Sequence, residues 1–136
     1  MYNTILVPVD MAHTDKAEAM FDIARKLGKK DAKVVVVNIV EEIPTYILSE
    51  LPRDMMANSV SNAKKSLEEL AKSSGLNATV HVEVGHPATS ILEVAQKDGA
   101  DCIIVASHRP GFQDYLLGST AARVVRHARC AVHVMR

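Results

Sequence analysis

The sequence predicts an α/β fold in which one open, mostly parallel sheet carries helices on both faces. Strand and helix patterns alternate along all 136 residues, as they do in chains built from βαβ units. The segments 4–10 and 33–40 are almost continuously apolar, which is typical of strands buried on both faces of a parallel sheet. We therefore expect residues 1–136 to form a single domain.

The opening residues predict the first strand and the start of the first helix. Thr4–Asp10 is the strand, and Pro8 should end pairing on one of its sides because proline has no amide hydrogen. Thr14 or Asp15 should cap the helix that follows, with Glu18 placed to complete a capping box.

The middle of the chain predicts one strand and one long helix. Gly28 closes the first helix, and Lys33–Val40 forms the second strand. Between Glu41 and Pro52 the pattern is irregular. An amphipathic helix then covers Met55–Ser73 and ends at Gly75.

The last third of the chain completes the alternation. Ala78–Val84 alternates apolar and polar residues, as a strand at a sheet edge does, and the next helix starts near Pro87. Asp101–Ala106 is the fourth strand. A helix from Ser119 to about Ala128 leads to the fifth strand, Ala131–Met135.

Composition excludes several classes of protein. Sixteen Lys and Arg balance 16 Asp and Glu, so we expect neither a nucleic acid nor a membrane as partner. Cys102 and Cys130 are isolated and indicate free thiols in a reducing compartment. No basic or long apolar leader precedes the first strand, so we expect a cytoplasmic protein.

The residue pattern favours binding over catalysis. No two histidines share the i, i+4 spacing of a helical zinc site, and no paired carboxylates or activated nucleophile stand out. Gly118, Ser119 and Thr120 instead open a helix, where backbone amides and two hydroxyls converge as in a phosphate site. The alternative is an ordinary N-cap by Ser119 after a flexible glycine.

A basic loop follows the fourth strand. Ser107, His108 and Arg109 leave the sheet there, and both basic side chains are able to contact a phosphate. The alternative is a solvated loop in which Arg109 pairs with Asp114 or Asp101.

Asp10, Ile39 and Ala106 stand at the carboxyl ends of predicted strands, where ligands bind in open α/β sheets. A carboxylate at position 10 would accept hydrogen bonds from a ribose or an adenine. The alternative is that it caps the turn at Met11 and Ala12.

Four segments resemble the universal stress protein family, especially its short F-type members. They are Ile5–Asp10, Val84–Ala88, Ile103–Pro110 and Leu116–Ala128. The resemblance implies a five-stranded parallel sheet of order 3-2-1-4-5 and a homodimer formed through the strand Ala131–Met135. In one branch it also implies ATP or AMP, with or without Mg²⁺, bound without robust turnover.

The resemblance also implies roles for single residues. Asp10 would hold the ribose or the base edge, Ile39 would offer backbone groups to adenine, and Val105 would lie against the sugar and phosphates with Ala106. Gly118, Ser119 and Thr120 would bind the phosphates. The expected nucleotide-binding set is completed by Pro8, Val9, Ser107, His108 and Arg109.

The chain departs from the family's ATP signature, Gly-x2-Gly-x9-Gly-Ser/Thr. Ala106 and Arg109 stand where the first two glycines are expected, eight residues instead of nine separate Arg109 from Gly118, and Pro110 lacks an amide hydrogen. The residue pattern and the resemblance together leave three hypotheses for the function. A regulatory adenine-nucleotide-binding protein of the stress response is favoured, a nucleotide-independent dimerisation and stress-protection module is the alternative, and a slow ATPase using His108 or Asp10 as base comes last.

Overall fold

A computed structural model describes residues 1–107 and 117–136, and within them one sheet carries helices on both faces. Every strand pair is parallel, and the described strands follow the order β3-β2-β1-β4-β5. This confirms the predicted fold class and the strand order that the resemblance implies. The strands are β1 (Tyr2–Pro8), β2 (Gly28–Val40), β3 (Ala78–Val84), β4 (Cys102–Ala106) and β5 (Ala131–Met135).

The helices bury one apolar side each against the sheet. On one face Phe21 and Leu67 pack in the same buried cluster as Ile5, and on the other face Ile91 packs in a cluster with Val124. In the order of the chain the helices are α1 (Ala17–Leu27), α2 (Thr45–Leu48), α3 (Met55–Ser73), α4 (Pro87–Asp98) and α5 (Ser119–His127). Helices α1 and α3 therefore cover the first face, and α4 and α5 cover the second.

This arrangement opens a crevice between two neighbouring strands. Strand β1 is followed in the chain by α1, which packs on the first face, whereas β4 is followed by α5, which packs on the second face. Because these two helices lie on opposite faces, the carboxyl ends of the neighbouring strands β1 and β4 form a topological switch point, the usual ligand position in open α/β sheets.

Pro8 limits pairing as the sequence predicts. Pairing between β1 and β4 ends at Leu6 and Ile103, whereas pairing with β2 reaches Pro8 itself. The amide of Val9 then donates to the carbonyl of Val37 at 2.8 Å. The end of β1 is thus held on the β2 side and open on the β4 side.

The predicted caps of the first helix are wrong. A 3₁₀ turn, Thr14–Lys16, leads into α1, and neither the turn nor the helix has a side-chain capping bond. The capping box expected at Glu18 is therefore absent from α1. Asp10 makes the chain reversal instead, since its carbonyl accepts the amide of His13 at 3.0 Å.

Strand β2 begins five residues earlier than Lys33, the predicted start. Helix α1 ends before Gly28 as expected, but Gly28 is extended, with φ −79° and ψ 151°, and continues directly into the strand. The first part of the strand is polar and exposed at 29–31, which hides the apolar pattern. A short helix, α2, also lies in the segment that the sequence describes as irregular.

Strand β1 spans Tyr2–Pro8, so it begins and ends two residues earlier than the predicted Thr4–Asp10. Strand β4 and helix α5 agree with the sequence within one residue at each end, and α3, β3 and β5 agree fully. Gly75 follows α3 with φ 73°, a left-handed conformation that glycine adopts without strain. Strand β3 lies at an edge of the sheet, as its alternating pattern predicts.

Candidate functional site

A cavity of about 740 Å³ lies at the carboxyl ends of β1, β2 and β4. Its volume falls within the range of small-molecule sites, roughly 300–1,000 Å³. The walls combine apolar side chains with a few polar ones. The described lining residues are Pro8, Val9, Asp10, Ala12, His13, Asp15, Lys16, Ala17, Met20, Val37, Asn38, Ile39, Glu41, Pro87, Ile91, Val105, Ala106, Ser107, Thr120 and Ala121.

The wall at the ends of β1 and β2 is held by buried hydrogen bonds. Asn38 is only 7 % exposed, and its Nδ2 donates to the carbonyl of Val9 at 2.9 Å. Because the amide of Val9 bonds to Val37, β2 satisfies both backbone groups of Val9. The backbone beyond Pro8 therefore keeps a defined position at the cavity.

Asp10 faces the cavity and also makes a turn. Its Oδ1 accepts the amide of Ala12 at 2.9 Å, which is the turn-capping role considered as an alternative. The two roles are compatible, because a carboxylate has two oxygens and about four acceptor positions.

The wall at the end of β4 is joined to two other elements through Ser107. The Nζ of Lys16 donates to the carbonyl of Ser107 at 2.8 Å. The amide of Ser107 donates to the carbonyl of Met135 at 2.8 Å, at the end of β5. Thr120 in the first turn of α5 faces the same cavity. Ser107, which directly follows β4, is thus held by the turn before α1 and by β5.

Most of the sequence-predicted residues lie together at this cavity. Those that line it are Pro8, Val9, Asp10, Ile39, Val105, Ala106, Ser107 and Thr120. Gly118 and Ser119 are not among the lining residues. His108, Arg109, Pro110 and Asp114 lie outside the described residues. The alternative ion pairs of Arg109 with Asp114 or Asp101 therefore stay predictions.

The start of α5 differs from the ordinary serine cap considered above. Gly118 is the N-cap residue, with φ −60° and ψ 157°, and no side chain makes a capping bond there. Ser119 is the first residue of the helix and is exposed. The amides at the start of this helix therefore receive no hydrogen bond from an N-cap side chain.

Five polar residues that line the cavity, Lys16 and Asn38 among them, do not appear among the sequence-predicted site residues; the others are His13, Asp15 and Glu41. Lys16 belongs to the 3₁₀ turn before α1, where a lysine in a polar segment suggests a solvated side chain. Asn38 interrupts the apolar run of β2, and this lone amide among valines was the signal available in the sequence. Its burial requires a partner, which Val9 supplies.

Asp101 lies on the amino-terminal side of β4. It accepts the amides of Asn3 and Thr4, both at 2.9 Å. Burial raises the pKa of the Asp101 carboxyl, but the amides of Asn3, Thr4 and Asp101 itself, together with the charge of Lys29, lower that pKa more strongly. The net pKa is below the ordinary value, and the carboxylate joins the start of β1 to the start of β4.

The two cysteines carry free thiols and take no part in the cavity lining. Burial first, and then the charges of Cys130 and Asp101, raise the pKa of Cys102 to about 11. Burial and Asp101 also raise the pKa of Cys130. Such thiols are poor nucleophiles at neutral pH.

The described parts of the chain contain neither a cluster of metal-binding side chains nor a membrane-spanning helix. Across residues 1–107 and 117–136, no three His, Cys, Asp or Glu side chains are grouped so that they would hold a metal ion. In the same ranges, no helix has both the length and the apolar character needed to cross a membrane.

Comparison with known proteins identifies the family. Residues 1–136 match the Universal stress protein family along their whole length. The chain belongs to this family. The match confirms the resemblance carried by the motifs at the ends of β1 and β4 and at the start of α5.

Individual universal stress proteins align over the complete chain. One from Methanocaldococcus jannaschii is 28 % identical over 144 residues, which cover 100 % of this chain and 83 % of the relative. Universal stress protein G of Escherichia coli O157:H7 is 26 % identical over 143 residues and is covered completely, as is this chain.

Solved structures share the fold. The hypothetical protein MJ0577 superposes with a TM-score of 0.81 at 24 % sequence identity, and the alignment covers 99 % of this chain and 96 % of the MJ0577 chain. A universal stress protein in complex with cAMP has a TM-score of 0.67 at 20 % identity, with 99 % and 97 % covered. One from Archaeoglobus fulgidus in complex with dAMP has a TM-score of 0.63 at 21 % identity, with 99 % and 98 % covered.

Proposed function

We propose that this universal stress protein is a regulatory module that binds AMP or ATP in the cavity between β1, β2 and β4 and acts in the stress response. The observation that carries the proposal is the convergence of eight sequence-predicted residues on one cavity at the topological switch point. Two solved structures of the same fold are complexes with cAMP and with dAMP, and they support an adenine nucleotide as the ligand.

The chemistry of the walls fits a nucleotide. Val9, Ile39 and Val105 provide apolar surface for a base and a sugar, and Asp10 provides a carboxylate for hydroxyl or amino donors. Thr120 supplies a hydroxyl at the start of α5, where a helix terminus favours negative charge. Gly118 and Ser119, which precede it, remain proposed phosphate contacts, as do His108 and Arg109.

A thermal-shift titration tests the proposal directly. The full chain is melted with increasing adenosine, AMP, ATP and ATP with Mg²⁺, and GTP serves as the control for the base. A ligand present at about a hundred times its Kd should add roughly 2.7 kcal/mol to the unfolding free energy. In parallel, mass spectrometry of the supernatant after denaturing gently purified protein should detect AMP or ATP.

Matched variants connect the binding to the cavity. Thr120→Val removes a hydroxyl at nearly constant volume and should weaken AMP and ATP binding. Thr79→Val is the control, because Thr79 is exposed on β3 and does not line the cavity. A protein that releases no nucleotide and whose melting temperature is unchanged by millimolar AMP or ATP would refute the proposal.

The alternative function, a nucleotide-independent dimerisation and stress-protection module, is favoured by Ala106 at the signature's first glycine position and by the shortened spacing between Arg109 and Gly118. It predicts no thermal shift with any nucleotide, so the same titration separates the two. We propose no catalytic role. ATP turnover that is lost in His108→Ala and kept in Ser119→Ala would contradict that part of the proposal.

We also propose that two copies form a homodimer through β5 and that the chain acts as a single cytoplasmic domain. Strand β5 is at the edge of the sheet, and Ala131 and His133 on it are exposed. An exposed edge strand presents backbone groups that a second copy is able to pair with. Light scattering should give about twice 14.8 kDa, and a monomer at micromolar concentration would remove the dimer.

A further inference from the structure

The side chain of Lys16 has an unusual position for a surface-type residue. It lies in the 3₁₀ turn before α1 and is half-buried, whereas Lys26 in the last turn of the same helix is exposed. Its Nζ reaches the carbonyl of Ser107, 91 positions later in the chain, at 2.8 Å. The ammonium group is therefore fixed at the carboxyl end of β4.

Lys16 occupies one definite end of the cavity. Ser107 belongs to the β4 side, whereas Ile39 and Glu41 line the cavity on the β2 side. Strand β1 lies between β2 and β4, so the two sides are about 10 Å apart at the usual spacing of neighbouring strands. A nucleotide that places its base near Ile39 would then direct its phosphates toward Lys16.

The charges of the lining make this lysine decisive. Asp10, Asp15 and Glu41 contribute three carboxylates, and Lys16 is the sole Lys or Arg among the described residues that line the cavity. Without Lys16, the permanently charged side chains of the described lining would all be carboxylates, which repel a phosphate. An ammonium group has three N–H donors, and the bond to Ser107 uses one of them.

We infer that Lys16 binds a phosphate group of the nucleotide and thereby makes the cavity prefer phosphorylated nucleosides over unphosphorylated ones. The inference rests on the proposed function and specifies which residue distinguishes AMP or ATP from adenosine. The lysine acts as a point charge, which suits phosphate oxygens in several geometries.

The test compares adenosine, AMP and ATP binding to four forms of the full chain by isothermal titration calorimetry. They are the wild type, Lys16→Met, Lys16→Arg and Lys26→Met. Lys16→Met should weaken AMP and ATP at least about tenfold, the effect of losing one charge-assisted hydrogen bond, and leave adenosine within about twofold. Lys16→Arg should keep the affinity for AMP within about threefold of the wild-type value. Lys26→Met should bind all three compounds as the wild type does.

Salt dependence gives a second readout that a purely structural lysine would not change. AMP affinity should fall with ionic strength in the wild type and in Lys16→Arg, and less steeply in Lys16→Met, because a screened charge pair has been removed. Melting curves identify any variant that has lost its fold. In that case the Lys16→Arg protein and the salt series of the wild type still test the assignment.

The outcomes separate this inference from the proposed function. Equal losses for adenosine and AMP in Lys16→Met would mean that Lys16 only positions Ser107, and unchanged AMP affinity would mean that it has no role; either result overturns the inference and leaves nucleotide binding intact. Absence of binding by the wild type to all three compounds overturns the proposed function and the inference with it.

Discussion

Replacing Asn38 should reveal how strongly the cavity wall depends on one buried hydrogen bond. In Asn38→Ala the carbonyl of Val9 loses the donor that now lies 2.9 Å away, at a position where Asn38 is only 7 % exposed. A lost hydrogen bond costs about 0.5–1.5 kcal/mol, and a buried acceptor left without a partner costs about 1–3 kcal/mol. Because Asn38→Ala leaves the acceptor without a partner, the second cost applies, and we expect a loss of roughly 1–3 kcal/mol in unfolding free energy.

Urea denaturation measures this loss. With a slope of about 2 kcal/mol per molar urea for a domain of this size, the midpoint should fall by roughly 0.5–1.5 M. Asn62→Ala is the matched control, because Asn62 is exposed on α3, and it should stay within about 0.5 kcal/mol of the wild type. If Asn38→Ala also stayed within that range, the reasoning about the buried amide would be refuted.

Asn38→Asp extends the prediction to pH. A carboxylate at this position has no N–H for the carbonyl of Val9, and burial disfavours its charge. The pKa of the new Asp should therefore be higher in the folded state than its ordinary value of about 3.9. Asn38→Asp should be most stable below a pH of about 3.9, where the new Asp is protonated, and should lose stability as pH rises through the raised pKa of the folded state. A stability difference from Asn38→Ala that did not change with pH would contradict this.

Three further predictions concern residues at the starts of β2 and β4, at the end of the sheet opposite the cavity. Asp101→Asn should remove the acid sensitivity of the β1–β4 contact. Because the pKa of Asp101 is lowered in the folded state, the carboxylate stabilises the fold above its ordinary pKa, and this stabilisation is lost as pH falls through the lowered pKa. The melting temperatures of wild type and variant should therefore converge in acid. Cys102, with a pKa of about 11, should resist alkylation at pH 8 until urea unfolds the chain, and the stability that it contributes should be lost as pH rises to about 11; fast labelling of native protein at Cys102 on peptide mapping would disprove its burial. Gly28→Ala should cost about 1–3 kcal/mol in urea denaturation, because the new Cβ would lie 2.9 Å from the Cβ of Ala32 and 3.1 Å from the carbonyl oxygen of Ala24, and a neutral result would show that this corner relaxes freely.

The sequence predicts the strands and helices well where the hydrophobic pattern is long and regular. Helix α3 and strands β3 and β5 have the predicted bounds, because their periodicity is bordered by Gly, Pro or polar residues. The start of β2 was placed five residues late, since its first residues are polar although their backbone is extended. The capping prediction for α1 failed because Thr14 and Asp15 lie inside a 3₁₀ turn that leads into the helix, and Lys16 occupies the N-cap position.

The sequence by itself determined the fold class, the family and the strand ends at which a ligand site should form, because these depend on apolar periodicity and on short motifs that are local in the chain. Only the tertiary structure decided that Lys16 and Asn38 also belong to the cavity. The bond from Lys16 to Ser107 joins positions 91 residues apart, and the bond from Asn38 to Val9 joins two different strands. No local pattern encodes such contacts, because they arise only when the packing of the sheet brings distant strand ends to one edge.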